Sequence, residues 1–167
     1  MPSNDFEIQF YVPRNGAPHI RLEHFEEGVE KAHEYLKDPL HSDFALAVGP
    51  VQRDAPVPTL MLERKPDVGV LVQLYVPERM SPEGQDGWYS LVEPANLDRV
   101  STKDVSTIYD EPDRKDMVPT RLSQGVLFSK RMYVPPELAE DALAFYLDGR
   151  SLGATLKNKP WKFIGLI

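Results

Sequence analysis

Polarity alternates with a period of two over DFEIQFYVP (residues 5–13), where Phe6, Ile8, Phe10 and Val12 fall on one side and Glu7, Gln9 and Tyr11 on the other. That alternation predicts a half-buried strand. After the turn residues RNGAP the period changes. Leu22, Phe25, Val29, Ala32 and Leu36 recur at intervals of three and four, which predicts an amphipathic helix over about residues 20–37, stopped by Pro39.

Three short apolar runs follow, FALAVGP (44–50), TLMLER (59–64) and VGVLVQLYVP (68–77), separated by Pro and Asp clusters, and each predicts a strand. In the third, Val70, Val72, Leu74 and Val76 share one face while Leu71 and Tyr75 flank Gln73 on the other. A strand apolar on both faces belongs in the middle of a sheet covered on both sides.

MSPEGQDG (80–87) carries loop residues, GWYSLVEP predicts another strand, and NLDRVSTKDVSTIYD is less regular. DEPDRKDMVP (110–119) is almost all charged or structure-breaking and predicts an exposed loop, after which GVLFSKRMYV (125–134) predicts a late strand. Pro135, Pro136 and Glu137 open a second helix over about 136–148, with Leu138, Ala142, Phe145 and Tyr146 on its apolar side and Gly149 as its stop. NKPWKFIGLI closes the chain as a last strand, with Trp161, Phe163 and Gly165 alternating on one side. The whole pattern predicts one α+β domain over 1–167, a mostly antiparallel or mixed β-sheet covered by two helices.

With 167 residues, 41% of them hydrophobic and 27% charged, the chain is long enough to bury a core and has the composition of a globular domain. Its formal charge of −7 opposes binding to phosphate backbones, so no nucleic-acid partner is expected. The same charge favours a basic protein partner through long-range attraction. The absence of cysteine excludes disulfides, thiolate catalysis and cysteine-ligated metals. No run approaches the roughly 18 apolar residues of a membrane span, and no basic leader precedes an apolar stretch, so the expectation is a cytoplasmic protein without a membrane partner.

Within the first predicted helix, Glu23, Glu27, Glu30 and Glu34 are spaced by four, three and four. On a helical wheel they occupy a sector of about 60° opposite the apolar side, and like charges so placed repel by a few tenths of a kcal/mol per pair. The stripe is either a solvated face or an acidic contact surface whose repulsion a basic partner relieves. Glu30 and His33 form one E-x-x-H, but the di-iron pattern needs a second copy and none occurs, so no metal is expected and His33 is read as a packed or hydrogen-bonded histidine. G-x-S-x-G, G-x-G-x-x-G and G-x-x-x-x-G-K-[ST] are all missing, so neither a serine nucleophile nor a nucleotide cofactor is indicated. Two further patches are candidate contacts: Trp88 and Tyr89 after a Gly-containing turn, and the acids Asp110, Glu111 and Asp113 of the charged loop. The plainer readings are aromatic rings packed in the core and a solvated connection.

GWYSLVEP, followed by a strand and then by MYVPPELAEDALAFYLDGRSLGATLKNKPW, resembles the closing half of the Imm1-type immunity proteins of bacterial polymorphic toxin systems. There a strand leads through a proline-started helix with an aromatic near its end into a tryptophan-containing segment. Pro135, Ala142, Phe145, Gly149, Pro160 and Trp161 occupy comparable places. Leu147 and Asp148 depart from the small residue usual near the helix end, and Gly149 stands further from Trp161 than the pattern has it. The resemblance implies a small non-catalytic protein that binds a cognate toxin domain, one often basic because it acts on nucleic acid. Two alternatives stand beside it: a small enzyme or ligand-binding domain with a pocket between sheet and first helix, and an assembly protein that self-associates through a sheet edge.

Overall fold

The computed structural model describes residues 6–11, 20–22, 30, 33–34, 44–50, 58–65, 67–110, 115–120, 125–147, 155–157 and 160–165. Seven strands make one sheet: β1 (Phe6–Tyr11), β2 (Ile20–Leu22), β3 (Phe44–Pro50), β4 (Thr59–Lys65), β5 (Gly69–Val76), β6 (Gly87–Leu91) and β10 (Trp161–Gly165). Their spatial order is β10-β6-β5-β4-β3-β1-β2, with every pair antiparallel. β7 (Val105–Thr107), β8 (Met117–Pro119) and β9 (Val126–Ser129) form a second, antiparallel sheet in the order β7-β9-β8. The helix Pro136–Leu147 lies between β9 and β10 in the chain. The predicted α+β architecture is present, and strands form within the runs expected at 5–13, 44–50, 59–64, 68–77 and 87–94.

The helix expected from about residue 20 begins later. Ile20–Leu22 is a strand that folds back on β1, with Ile20 opposite Phe10 and Leu22 opposite Ile8. RNGAP is therefore bracketed by a hairpin, and the apolar-polar-apolar triplet Ile-Arg-Leu follows the period of a strand. Glu30, His33 and Glu34 are helical, while Pro39 and the other positions of that stretch lie outside the described residues.

The two faces of β5 are sorted as their alternation requires. Val70, Val72, Leu74 and Val76 pack with Leu60 and Leu62 of β4, Tyr89 and Leu91 of β6, and Trp161 and Phe163 of β10 against the helix. The helix answers with Ala139, Ala142, Leu143 and Tyr146, a stripe at i, i+3, i+4 and i+7, while Leu138 is partly buried and Phe145, expected in that stripe, is half-buried to one side of it. Fully burying a Leu or Val side chain contributes about 1.5–3 kcal/mol, so this layer is the main source of stability among the described residues. The helix starts where prolines cost nothing: the Pro135 carbonyl accepts from the backbone N–H of Leu138 (3.1 Å) and Ala139 (3.2 Å), while Pro136 has no N–H to satisfy.

The opposite face of the sheet, with Leu71, Trp88, Val92 and Ile164, packs against the small sheet through Val105, Val118, Val126 and Phe128. Val105, Phe128 and Val118 are register partners, which gives the small sheet one apolar row. The connection from β6 to β10 thus supplies a layer on each face of the sheet, first the small sheet and then the helix.

Between those layers the chain passes from one face to the other. Met132 and Tyr133 belong to the small-sheet side, and Val134 belongs to the helix side. β6 pairs with β5 only at residues 73–76, so the backbone of Val70 is open on that side. Val134 takes the place, exchanging two 2.9 Å hydrogen bonds with Val70. Gly69, at φ +134°, lets this happen: a Cβ there would lie 2.7 Å from the Val134 carbonyl oxygen. The β4–β5 turn is closed by Asp67 at φ +61°, a left-handed conformation that Asp tolerates.

Three departures mark the remaining elements. Within the stretch 110–119, expected to be an exposed loop, Met117–Pro119 is strand β8 and Met117 is buried, because it pairs with β9. β9 covers only the first half of GVLFSKRMYV, because Lys130–Met132 turns as a 3-10 segment capped by the Ser129 hydroxyl, which accepts from the Arg131 N–H. In β10 the alternation breaks after Phe163, and a register shift sets Gly165 opposite Trp88.

Candidate partner-binding surface

β7 runs straight into a tight turn that presents an aromatic ring. Thr107 Oγ1 donates to Asp110 Oδ2 (3.0 Å) and accepts from the Asp110 backbone N–H (3.1 Å), so the two ends of Thr107–Asp110 are clasped together. The Ile108 N–H donates to the Gly125 carbonyl (2.9 Å), fixing the turn to the chain entering β9. Between these anchors Tyr109 is 85% exposed and Ile108 is 43% exposed. Asp110, one of the acids expected at a contact, stands beside them on the surface, while Glu111 and Asp113 lie outside the described residues. Sequence reasoning missed Tyr109 and Ile108; the available signal was an apolar pair, Ile-Tyr, set directly before an acidic run.

The acidic stripe is described in part. Glu30 and Glu34 are exposed, as the helical wheel requires, and Glu23 and Glu27 lie outside the described residues. His33 Nδ1 and Glu140 Oε1 are 3.1 Å apart, which ties the first helical segment to the helix 136–147. His33 is therefore a hydrogen-bonded histidine. Among the described residues, no three His, Asp or Glu side chains group as metal ligands.

Trp88 and Tyr89 serve the fold. Tyr89 is 6% exposed and meets Phe163 edge-on with ring centroids 5.0 Å apart. Trp88 is half-buried on the other face, tilted by 57° against Tyr75 at 5.4 Å. Neighbours on a strand point to opposite faces, so these two rings cannot form one surface patch.

An open cleft of about 620 Å³ lies at the β5–β6 hairpin, lined by Tyr75, Pro77, Glu78, Arg79, Gly84 and Asp86. It is built from strand ends and the turn between them, away from the sheet-to-first-helix position considered for a pocket. Burial raises the pKa of Tyr75 above its ordinary value, and the Asp86 carboxylate, which accepts a hydrogen bond from the hydroxyl, raises it further, with Arg79 opposing. Met80, in the same hairpin, is 47% exposed.

No family model, curated protein or solved structure matches this chain. Among the described residues no helix is long and apolar enough to cross a membrane.

Proposed function

We propose that the chain is a non-catalytic, immunity-type protein that binds and neutralises a basic toxin domain, using the Thr107–Asp110 turn as its principal contact. The observation that carries this reading is the exposure of Tyr109 on a turn clasped at both ends. A large ring held in water gains when it is covered, and a preordered turn loses little conformational entropy when it docks. Tyrosine is also among the residues that dominate binding energy at protein interfaces. Asp110 adds a carboxylate beside the ring, and the formal charge of −7 supplies attraction toward a basic partner. The resemblance of the C-terminal half to Imm1-type proteins agrees with this reading.

The test is a complex between this protein and a catalytically inactivated form of the toxin domain encoded beside its gene. We expect a stable complex whose association slows with salt, and we expect Tyr109→Ala to weaken it by about 30-fold, the size of an interface anchor. Toxicity undiminished by co-expression, together with no complex at about 10 μM of each protein, would falsify the reading.

A further inference from the structure

The cleft at the β5–β6 hairpin combines features that the turn at Tyr109 does not use. The lining carries two carboxylates, Glu78 and Asp86, against one guanidinium, Arg79, so its net charge favours a cation. Tyr75 forms an aromatic wall and is backed by Trp88 at 5.4 Å, which fixes the ring in place. Pro77 and the exposed Met80 give the hairpin an apolar surface beside these charges. The cleft, of about 620 Å³, is open to solvent, so a long side chain carried by another protein can enter it from outside.

We propose that this cleft is a socket for an arginine side chain presented by the partner protein, stacked beside Tyr75 and paired with Asp86 and Glu78, an assignment that rests on the basic-partner reading above. Arginine fits better than lysine because its planar guanidinium both stacks on an aromatic ring and forks onto a carboxylate. An anionic ligand would meet two carboxylates for one guanidinium. The electrostatics around Tyr75 agree: after burial, Asp86 acts on its hydroxyl more strongly than Arg79 does, so the local field is that of the acid. Glu78 sits at the start of a 3-10 turn closed by the Ser81 N–H on the Glu78 carbonyl, which sets the position of one of the two acids.

The experiment needs no partner protein. N-acetyl-arginine amide is titrated into the full chain and followed by amide and indole NMR shifts, with N-acetyl-citrulline amide as the uncharged probe of the same shape. We expect saturable shifts at Gly84, Asp86 and the Trp88 indole with a dissociation constant in the millimolar range, roughly that of a single ion pair with stacking. The citrulline probe should bind at least about tenfold more weakly, and so should the arginine probe to the double variant Glu78→Gln, Asp86→Asn, whose changes leave shape and backbone alone. Equal binding of the two probes, an unaffected double variant, or shifts confined to other acidic surfaces would each overturn the socket. A negative result would leave the Tyr109 contact standing. Conversely, failure to find a toxin complex would leave arginine binding measurable in its own right.

Discussion

Tyr146 donates a hydrogen bond of 3.2 Å to the carbonyl of Pro58, linking the outer helix to the residue just before β4. The ring is 6% exposed, and burial raises the pKa of its hydroxyl well above the ordinary 10.0. A group whose folded pKa exceeds its unfolded pKa contributes stability that is complete below the unfolded value and is lost as pH rises toward the folded one. Above about pH 10 the chain should therefore lose up to about 1.4 kcal/mol per pH unit from this tyrosine. Tyr146→Phe removes that dependence and costs about 1 kcal/mol at neutral pH, the value of one hydrogen bond. Urea denaturation of both proteins at pH 8 and pH 11 checks it; equal losses on raising the pH would refute the assignment to Tyr146.

Gly69→Ala puts a methyl group 2.7 Å from the Val134 carbonyl oxygen at a φ that side chains avoid. We expect a loss of about 2 kcal/mol or more, combining backbone strain with damage to the Val70–Val134 bridge. Hydrogen exchange at the amides of Val70 and Val134 should accelerate more than exchange in β4. A stability change under about 0.5 kcal/mol would show that the crossing point accommodates a Cβ after all.

Gln73 and Ser90 are register partners on β5 and β6, 5% and 0% exposed, and Gln73 Nε2 and Ser90 Oγ find no hydrogen-bond partner among the described residues. Both lie on the small-sheet face, between residues that pack as core. A buried polar group without a partner costs about 1–3 kcal/mol, so Ser90→Ala and Gln73→Leu should be neutral or stabilising. Destabilisation by more than about 1 kcal/mol in chemical denaturation would mean that these atoms are bonded in solution.

Asp104 uses both carboxylate oxygens, Oδ2 accepting from the Ser101 N–H (2.9 Å) and Oδ1 lying 3.3 Å from Arg131 Nε. The first bond closes a capping box with Ser101, and the second joins the loop before β7 to the turn after β9. Asp104→Ala should cost about 1–2 kcal/mol, as lost caps do. Arg131→Ala should cost less than about 1 kcal/mol, because its side chain is 47% exposed and the pair is screened by water. The reverse ranking in thermal melts would place the main restraint in the ion pair.

What could be read from the chain was set by length and regularity. β5 has eight residues, apolar on both faces apart from Gln73, so both its central position and the partition of its side chains were legible. The helix 136–147 was legible from its prolines and acids at one end, although Ala139 and Leu143 took places in the apolar stripe that Phe145 was expected to share. β2, β7 and β8 have three residues each, too few for any period to register against the longer helical signal beside β2 or the charged residues around β7 and β8. The surface was harder to read. Tyr109 is exposed because a two-ended clasp lifts it off the small sheet, and the cleft exists because closure of a hairpin brings Tyr75 to Asp86. The first leaves only a short signal, Ile-Tyr before an acidic run, and the second leaves no apolar period at all. The burial of Tyr89 likewise depends on a distant partner, Phe163 of the last strand.

The pairing of β10 with β6 has a consequence during synthesis. Leu91 and Trp161 are neighbours in the sheet, yet everything from the small sheet to the helix must leave the ribosome between them. Until residues 161–165 emerge, β6 is an open edge carrying the apolar run Gly-Trp-Tyr-Ser-Leu, with a row of unpaired backbone groups ready to accept any other strand. A nascent chain stalled or cleaved short of Trp161 is thus the species most exposed to aggregation, and β10 acts as the seal that ends that interval.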